Sequence, residues 1–287
     1  MSLAMEKSFI ETNKFVSSHL IVPAKTLSLL VALLLLNFSV ASAGPLLFVH
    51  DSSGDLGSVD VSNGAVKNVV RMRNAAGASV VMTDIAFAPN GNLFGITFRD
   101  LYRIDSLTGS ADLIGRHGIS QGNALVFGAN KTLYAAGAGT TSLYTINTNS
   151  GLGTALAKIG FRSAGDLAFN DGHLFMSSID DQLIKIDLAG MTSGMAIGAF
   201  GFRNVFGLAT GDDKVLYGVA GTSIFSINSS TGVGTLVSDF SGQGLGRAGG
   251  SSFEAVPTPE PATMFLLGTG VAAAATELRR RSRRKKA

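Results

Sequence analysis

The chain has no cysteine and no tryptophan, and only 15% of its 287 residues are charged. Without thiols there is no disulfide framework, no thiolate metal site and no cysteine nucleophile. So little charge beside 46% hydrophobic residues also excludes a disordered polyelectrolyte and leaves ample material for a core. What is abundant is glycine, at 36 residues, and phenylalanine, at 18 against 4 tyrosines. That mixture is poor in helix formers and rich in turn and strand formers, so it favours β structure.

The formal net charge of +3 belongs to the tails. The body, Gly44 to Val256, keeps 13 of the 23 basic and 16 of the 20 acidic residues. An acidic body lacks the clustered Lys and Arg that phosphate neutralisation needs, which argues against a nucleic-acid partner.

At the amino terminus a basic, polar stretch reaching Lys25 leads into the apolar run Leu27 to Phe38 and then the small residues Ala41 and Ala43 before Gly44. Charged region, apolar region and A-x-A site in that order read as a signal peptide over residues 1–43, cleaved after Ala43. The apolar run is about 12 residues, short of the roughly 20 that a spanning helix needs. The mature protein is expected to work outside the inner membrane.

The body repeats with a period of about 41 residues, the length of a four-stranded propeller blade. One copy runs from Asp84-Ile-Ala-Phe87 through Leu93-Phe94 and Leu101-Tyr-Arg-Ile-Asp105 to Thr108-Gly109 and Ile114-Gly115. Further copies centre on Leu143-Tyr-Thr-Ile-Asn147, Leu183-Ile-Lys-Ile-Asp187 and Ile224-Phe-Ser-Ile-Asn228. Short β-forming runs alternate with turn clusters such as Pro89-Asn-Gly-Asn92, so each copy reads as four strands. The recurring Leu-aromatic pairs read as packing between blades rather than as a ligand box. A fifth unit opens the body with its second and third strands only, at Leu46-Leu-Phe48 and Gly57 to Gly64. Ser251 to Ala255 is expected to supply its missing inner strand beside Phe48, closing the ring. The expected fold is all-β, a propeller of five four-stranded blades over residues 44–256. Six is the alternative if Arg71 to Met82 hides extra strands. The repeat resembles the bacterial propeller repeat Leu-Tyr-x-Ile-Asp-x-x-Thr-Gly-x-x-x-x-Ile-Gly, a likeness that implies fold and leaves function open.

After Val256 come Pro259-Glu260-Pro261, the apolar segment Ala262 to Thr276, and a basic cluster of Arg279, Arg280, Arg281, Arg283, Arg284, Lys285 and Lys286. A basic run directly after an apolar stretch in an exported chain reads as a cytoplasmic stop, by the positive-inside bias. The apolar segment, at about 1.5 Å per residue, reaches roughly 22 Å against a hydrocarbon core of roughly 30 Å, so snorkelling arginines must make up the difference. This three-part end, residues 257–287, resembles the PEP-CTERM sorting signal of Gram-negative bacteria that make extracellular polysaccharide. Thr258 and Glu277 are departures from its commoner pattern. The resemblance implies transient anchoring in the inner membrane, processing by an exosortase at or near the motif, and delivery to the cell envelope, surface or matrix. Exopolysaccharide or another surface protein is then the expected partner.

Catalytic spellings are weak in context. Gly118-Ile-Ser120-Gln-Gly122 spells a nucleophile elbow, but a strand and not a helix is expected to follow. Gly244-Leu-Gly246-Arg-Ala-Gly249 spells a dinucleotide loop and likewise lacks a helix. Propeller lactonases hold a divalent metal with acids from several inner strands. The matching positions here hold Asp84, Ala124, Asp166 and Gly207, and Glu254 is the single glutamate of the body. Asp84 and Asp166 are the candidate metal residues, with turn anchors at strand starts as the preferred reading. Asp51, Asp55 and Asp60 lack the spacing of a calcium loop. His50, His117 and His173 fall at different points of their repeats and read as loop or interface residues. No cofactor motif is present. The leading expectation is a non-enzymatic exported propeller that binds through loops. A metal-dependent hydrolase or lactonase and a structural surface protein without a specific ligand are the alternatives.

Overall fold

The computed structural model describes residues 44–190 and 193–254. The signal-peptide assignment, with Ala41 and Ala43, and the carboxy-terminal segment from residue 257 onward lie outside these described residues.

Among the described residues, twenty strands form five antiparallel sheets of four. The first blade joins β1 (Leu46–Asp51), β2 (Asp55–Asp60) and β3 (Val66–Arg71) to a strand from the far end of the body. The second holds β4 (Asp84–Phe87), β5 (Leu93–Ile96), β6 (Asp100–Ile104) and β7 (Ala111–Arg116). The third holds β8 (Gly122–Phe127), β9 (Leu133–Gly137), β10 (Ser142–Ile146) and β11 (Gly153–Lys158). The fourth holds β12 (Ser163–Asn170), β13 (His173–Ser178), β14 (Gln182–Ile186) and β15 (Gly194–Ala199). The fifth holds β16 (Val205–Thr210), β17 (Leu216–Ala220), β18 (Ser223–Ile227) and β19 (Gly234–Asp239), and the chain ends in β20 (Ala248–Phe253). No helix occurs among the described residues.

The ring closes as the repeat pattern requires. β20 pairs antiparallel with β1, Phe48 opposite Ser252 and Leu47 opposite Phe253, so the last strand becomes the inner strand of the first blade. This strand starts at Ala248, three residues before the expected Ser251. Arg71 to Met82 hides no sixth blade: Arg73 makes isolated bridges to Ser79 and Ser110, while Met72, Val80 and Met82 are buried between the first and second blades.

The repeat residues fold the way they do for local reasons. In the turn after each third strand the side-chain oxygen of an Asp or Asn accepts backbone N–H groups, two of them at Asp105, Asn147 and Asn228 and one at Asp60 and Asp187. Asp105 accepts from Leu107 and Thr108 at 2.9 and 3.0 Å, and Asn228 from Ser230 and Thr231 at 2.9 and 3.1 Å. The glycine that ends the turn has positive φ, 77° at Gly151 and 80° at Gly232. A Cβ on Gly151 would press on the backbone of Gly115, and one on Gly232 on that of Gly198. The Thr-Gly and Ile-Gly positions of the repeat are thus partners across a blade junction.

Five apolar clusters fill the five junctions. At four of them an aromatic ring of a second strand meets a phenylalanine of the next inner strand. The pairs are Phe48–Phe87, Phe94–Phe127, Tyr134–Phe169 and Tyr217–Phe253, with centroids 4.9 to 5.8 Å apart. The Leu-aromatic pairs therefore serve blade packing.

Candidate functional site

Inner strands have one free edge, so their inward N–H groups need acceptors. At one level of the ring the five equivalent donors are Ile85, Leu125, Leu167, Leu208 and Ser251. All five converge on two carboxylates. Asp84 accepts from Ile85 (2.8 Å, Oδ1) and Leu125 (2.6 Å, Oδ2). Asp166 accepts from Leu167 (2.6 Å, Oδ1), Leu208 (2.6 Å, Oδ2) and Ser251 (3.3 Å, Oδ2). The equivalent positions on the other three inner strands are Ala124, Gly207 and Gly250, small enough to leave the axis to these two side chains.

Both aspartates are fully buried. Burial pushes both carboxyls well above the ordinary range; for Asp84 the neighbouring charge of Asp166 and a hydrogen bond to it push further. The pair therefore keeps a proton at pH values where an exposed aspartate has lost its own, while the rise at Asp166 is opposed by its N–H donors. This corrects the reading of Asp84 and Asp166 as local turn anchors. Each does cap the residue that follows it, but their second oxygens staple other blades, 41, 42 and 85 residues away.

His50, on β1, joins this centre. Its ring lies against Gly249 and Gly250, and Nε2 crowds the same point above Gly250 as Asp84 Oδ1. Neither ring nitrogen has a partner in the described residues, and burial lowers its pKa to about 4. The sequence reading missed this histidine as a channel residue. The available signal was its register: His50 occupies the place of Ile96, Ala136, Ser177 and Val219 in the other second strands, opposite glycines on β20.

The donor set of this centre does not suit a divalent ion. The four carboxylate oxygens already face five N–H dipoles, and no group of three acidic or histidine side chains among the described residues has metal-ligand spacing. Asp51, Asp55 and Asp60 do not converge either. Asp51 and Asp55 stand at one end of β2 and Asp60 at the other, some 16 Å away at about 3.3 Å per residue. Asp51 caps Ser53, Asp55 and Gly246, and Asp55 pairs with Arg71. His117 bonds Thr97 and Ile119, whereas His173 is exposed. Ser120 lies in an exposed linker, with β8 after it.

Several concavities open from the described residues. A cavity of about 160 Å³ lies on the axis below the aspartates, ringed by Phe87, Phe127, Phe169, Thr210 and Phe253. A cleft of about 690 Å³ separates the second and third blades on the face of the strand hairpins, between Asn92, Arg103, Lys131 and Asn149. Another, of about 350 Å³, opens between the same blades on the opposite face, beside Phe98, Arg99 and Arg116.

Beyond the closing strand, residues 257–284 match one family model, described as the PEP-CTERM protein-sorting motif. The chain carries a PEP-CTERM sorting signal. The match takes in Pro259, Glu260 and Pro261, and the basic cluster as far as Arg284. The PEP-CTERM signal implies an exported protein with a membrane-anchored carboxy-terminal segment that an exosortase processes. No curated protein matches the chain. Among solved structures, one concerning the de novo evolutionary emergence of a symmetrical protein is similar at 17% identity and a TM-score of 0.45, over 68% of this chain and 93% of that one. Hydrazine synthase of Kuenenia stuttgartiensis is similar at 15% identity and 0.41, over 54% of this chain and 47% of that one. A protein of unknown function from Bacteroides caccae is similar at 11% identity and 0.43, over 68% and 72%.

Proposed function

We propose that this PEP-CTERM chain is a non-enzymatic propeller, displayed at the envelope or in the exopolysaccharide matrix, that binds a glycan or another surface protein through its loops. The sorting motif at residues 257–284 carries this reading. The buried centre supports its non-enzymatic half, because Asp84 and Asp166 spend their oxygens on the ring's own backbone and both are closed to solvent. The acids work as a clasp.

The delivery half is tested in the native host with Pro259→Ala and Glu260→Gln. Loss of carboxy-terminal processing by intact mass, with retention at the inner membrane, is expected. Unchanged processing and surface delivery would overturn the sorting reading. A divalent ion bound stoichiometrically by the wild-type protein, together with hydrolytic turnover, would replace the binding reading with that of a metal-dependent hydrolase.

A further inference from the structure

The two faces of the ring carry different cations. Linkers between blades and the turns joining second to third strands lie on one face; the remaining hairpin turns lie on the other. Every described arginine except Arg103 falls in the linker half, whereas every described lysine except Lys158 falls in the hairpin half. A guanidinium presents a planar fork of donors that matches a carboxylate in two-pronged fashion, and an ammonium does not.

These arginines are available. Among the described residues the single ion pair is Arg71 with Asp55. Arg99, Arg116, Arg162, Arg203 and Arg247 are exposed. The acids of that face are partly occupied by their own backbone, Asp181 accepting from Asn204 at 2.7 Å and Asp239 from Ser241 at 2.8 Å. Arg162, Arg203 and Arg247 stand on successive linkers leading into β12, β16 and β20. Arg162 Nε donates to Ala138 O on the preceding blade at 2.5 Å, and Arg247 sits over Gly221 on its preceding blade. The same face exposes apolar rings: Phe98 is 54% and Phe206 36% accessible. Phe98 stands at the mouth of the 350 Å³ cleft that also holds Arg99 and Arg116.

We infer that the linker face binds a carboxylate-bearing polysaccharide, with Arg99, Arg116 and Phe98 receiving one acidic sugar and Arg162, Arg203 and Arg247 following the chain around the ring. This rests on the exported-binder reading and adds the face and the ligand chemistry. The forks of the arginines take carboxylates, and the exposed rings offer flat apolar surface to the C–H faces of sugars. A neutral glycan offers the arginines hydroxyl acceptors but neither the opposite charge nor the paired oxygens of a carboxylate.

The test uses the full chain, purified in mild detergent, against immobilised polygalacturonate, with dextran and a single-stranded oligonucleotide as comparison probes. Binding to polygalacturonate that weakens with salt, and none to dextran, is expected. Arg99→Gln with Arg116→Gln is expected to weaken binding about tenfold or more, with Arg99→Lys and Arg116→Lys only partly restoring it. Lys67→Gln with Lys214→Gln on the hairpin face should leave it unchanged. Equal binding to dextran, tighter binding to the oligonucleotide, or no binding to polygalacturonate would each overturn the inference, as would full binding by the glutamine pair. Because these arginines are exposed, a circular-dichroism spectrum matching wild type verifies the fold, and the lysine pair supplies a second, charge-conserving comparison. Failure here while the wild-type chain is processed and delivered to the surface would leave the sorting reading standing; a wild-type chain neither processed nor delivered in the native host would instead count against that reading.

Discussion

His50 provides a thermodynamic probe of the channel. In the unfolded chain its imidazole titrates near 6.5; in the ring, desolvation lowers it to about 4. The folded state thus keeps it neutral where the unfolded chain takes up a proton. Its contribution to stability is complete above 6.5 and is lost as pH falls toward 4. A shift of that size at about 1.36 kcal/mol per unit corresponds to about 3 kcal/mol between pH 7 and pH 4. The perturbation is His50→Leu, which removes the titrating group and keeps an apolar filling against Gly249 and Gly250. Urea unfolding of both proteins at pH 7 and pH 4 yields the difference in stability, in which the titration of the carboxylates common to both largely cancels. The variant is expected to gain about 3 kcal/mol on wild type as pH falls across that window. Parallel pH profiles for the two proteins would refute a buried neutral histidine, and so would an imidazole NMR titration near 6.5 in the folded protein.

Other expectations follow from the same contacts. Asp166→Ala strands three buried N–H groups, at roughly 1–3 kcal/mol each before any relaxation, so a large drop in thermal midpoint is expected, and a loss under 1 kcal/mol would contradict the clasp. Both aspartyl pKa values are raised, so their contribution is full below the unfolded value of 3.8 and declines as pH rises through the folded values. Asp84→Asn should flatten that decline in urea midpoints measured across pH, and an unchanged slope would argue against a retained proton. Gly151→Ala meets both a positive φ and the backbone of Gly115, and should destabilise by about 1–3 kcal/mol in denaturant melts, with Ser150→Ala, beside it on the same turn, as the milder control.

The amino-acid order by itself determined the five-fold architecture, the closure of the first blade by the last strand and the sorting signal, because each is written in short-range pattern. Alternation, turn residues and a period near 41 specify strands and their neighbours locally, and Pro259-Glu260-Pro261 with its apolar and basic followers is contiguous. The channel centre is different. Asp84, Asp166, Ser251 and His50 lie on four strands in three blades, and only closure of the ring carries Asp166 to Ser251 across 85 residues. Their positions in the repeat disclosed where such acids stand, yet whether two carboxyls meet, share a proton and take five N–H donors depends on the small residues Ala124, Gly207 and Gly250 around them. The separation of arginine from lysine was equally invisible along the chain, since it follows strand direction: alternate turns point to opposite faces, and composition averages the two.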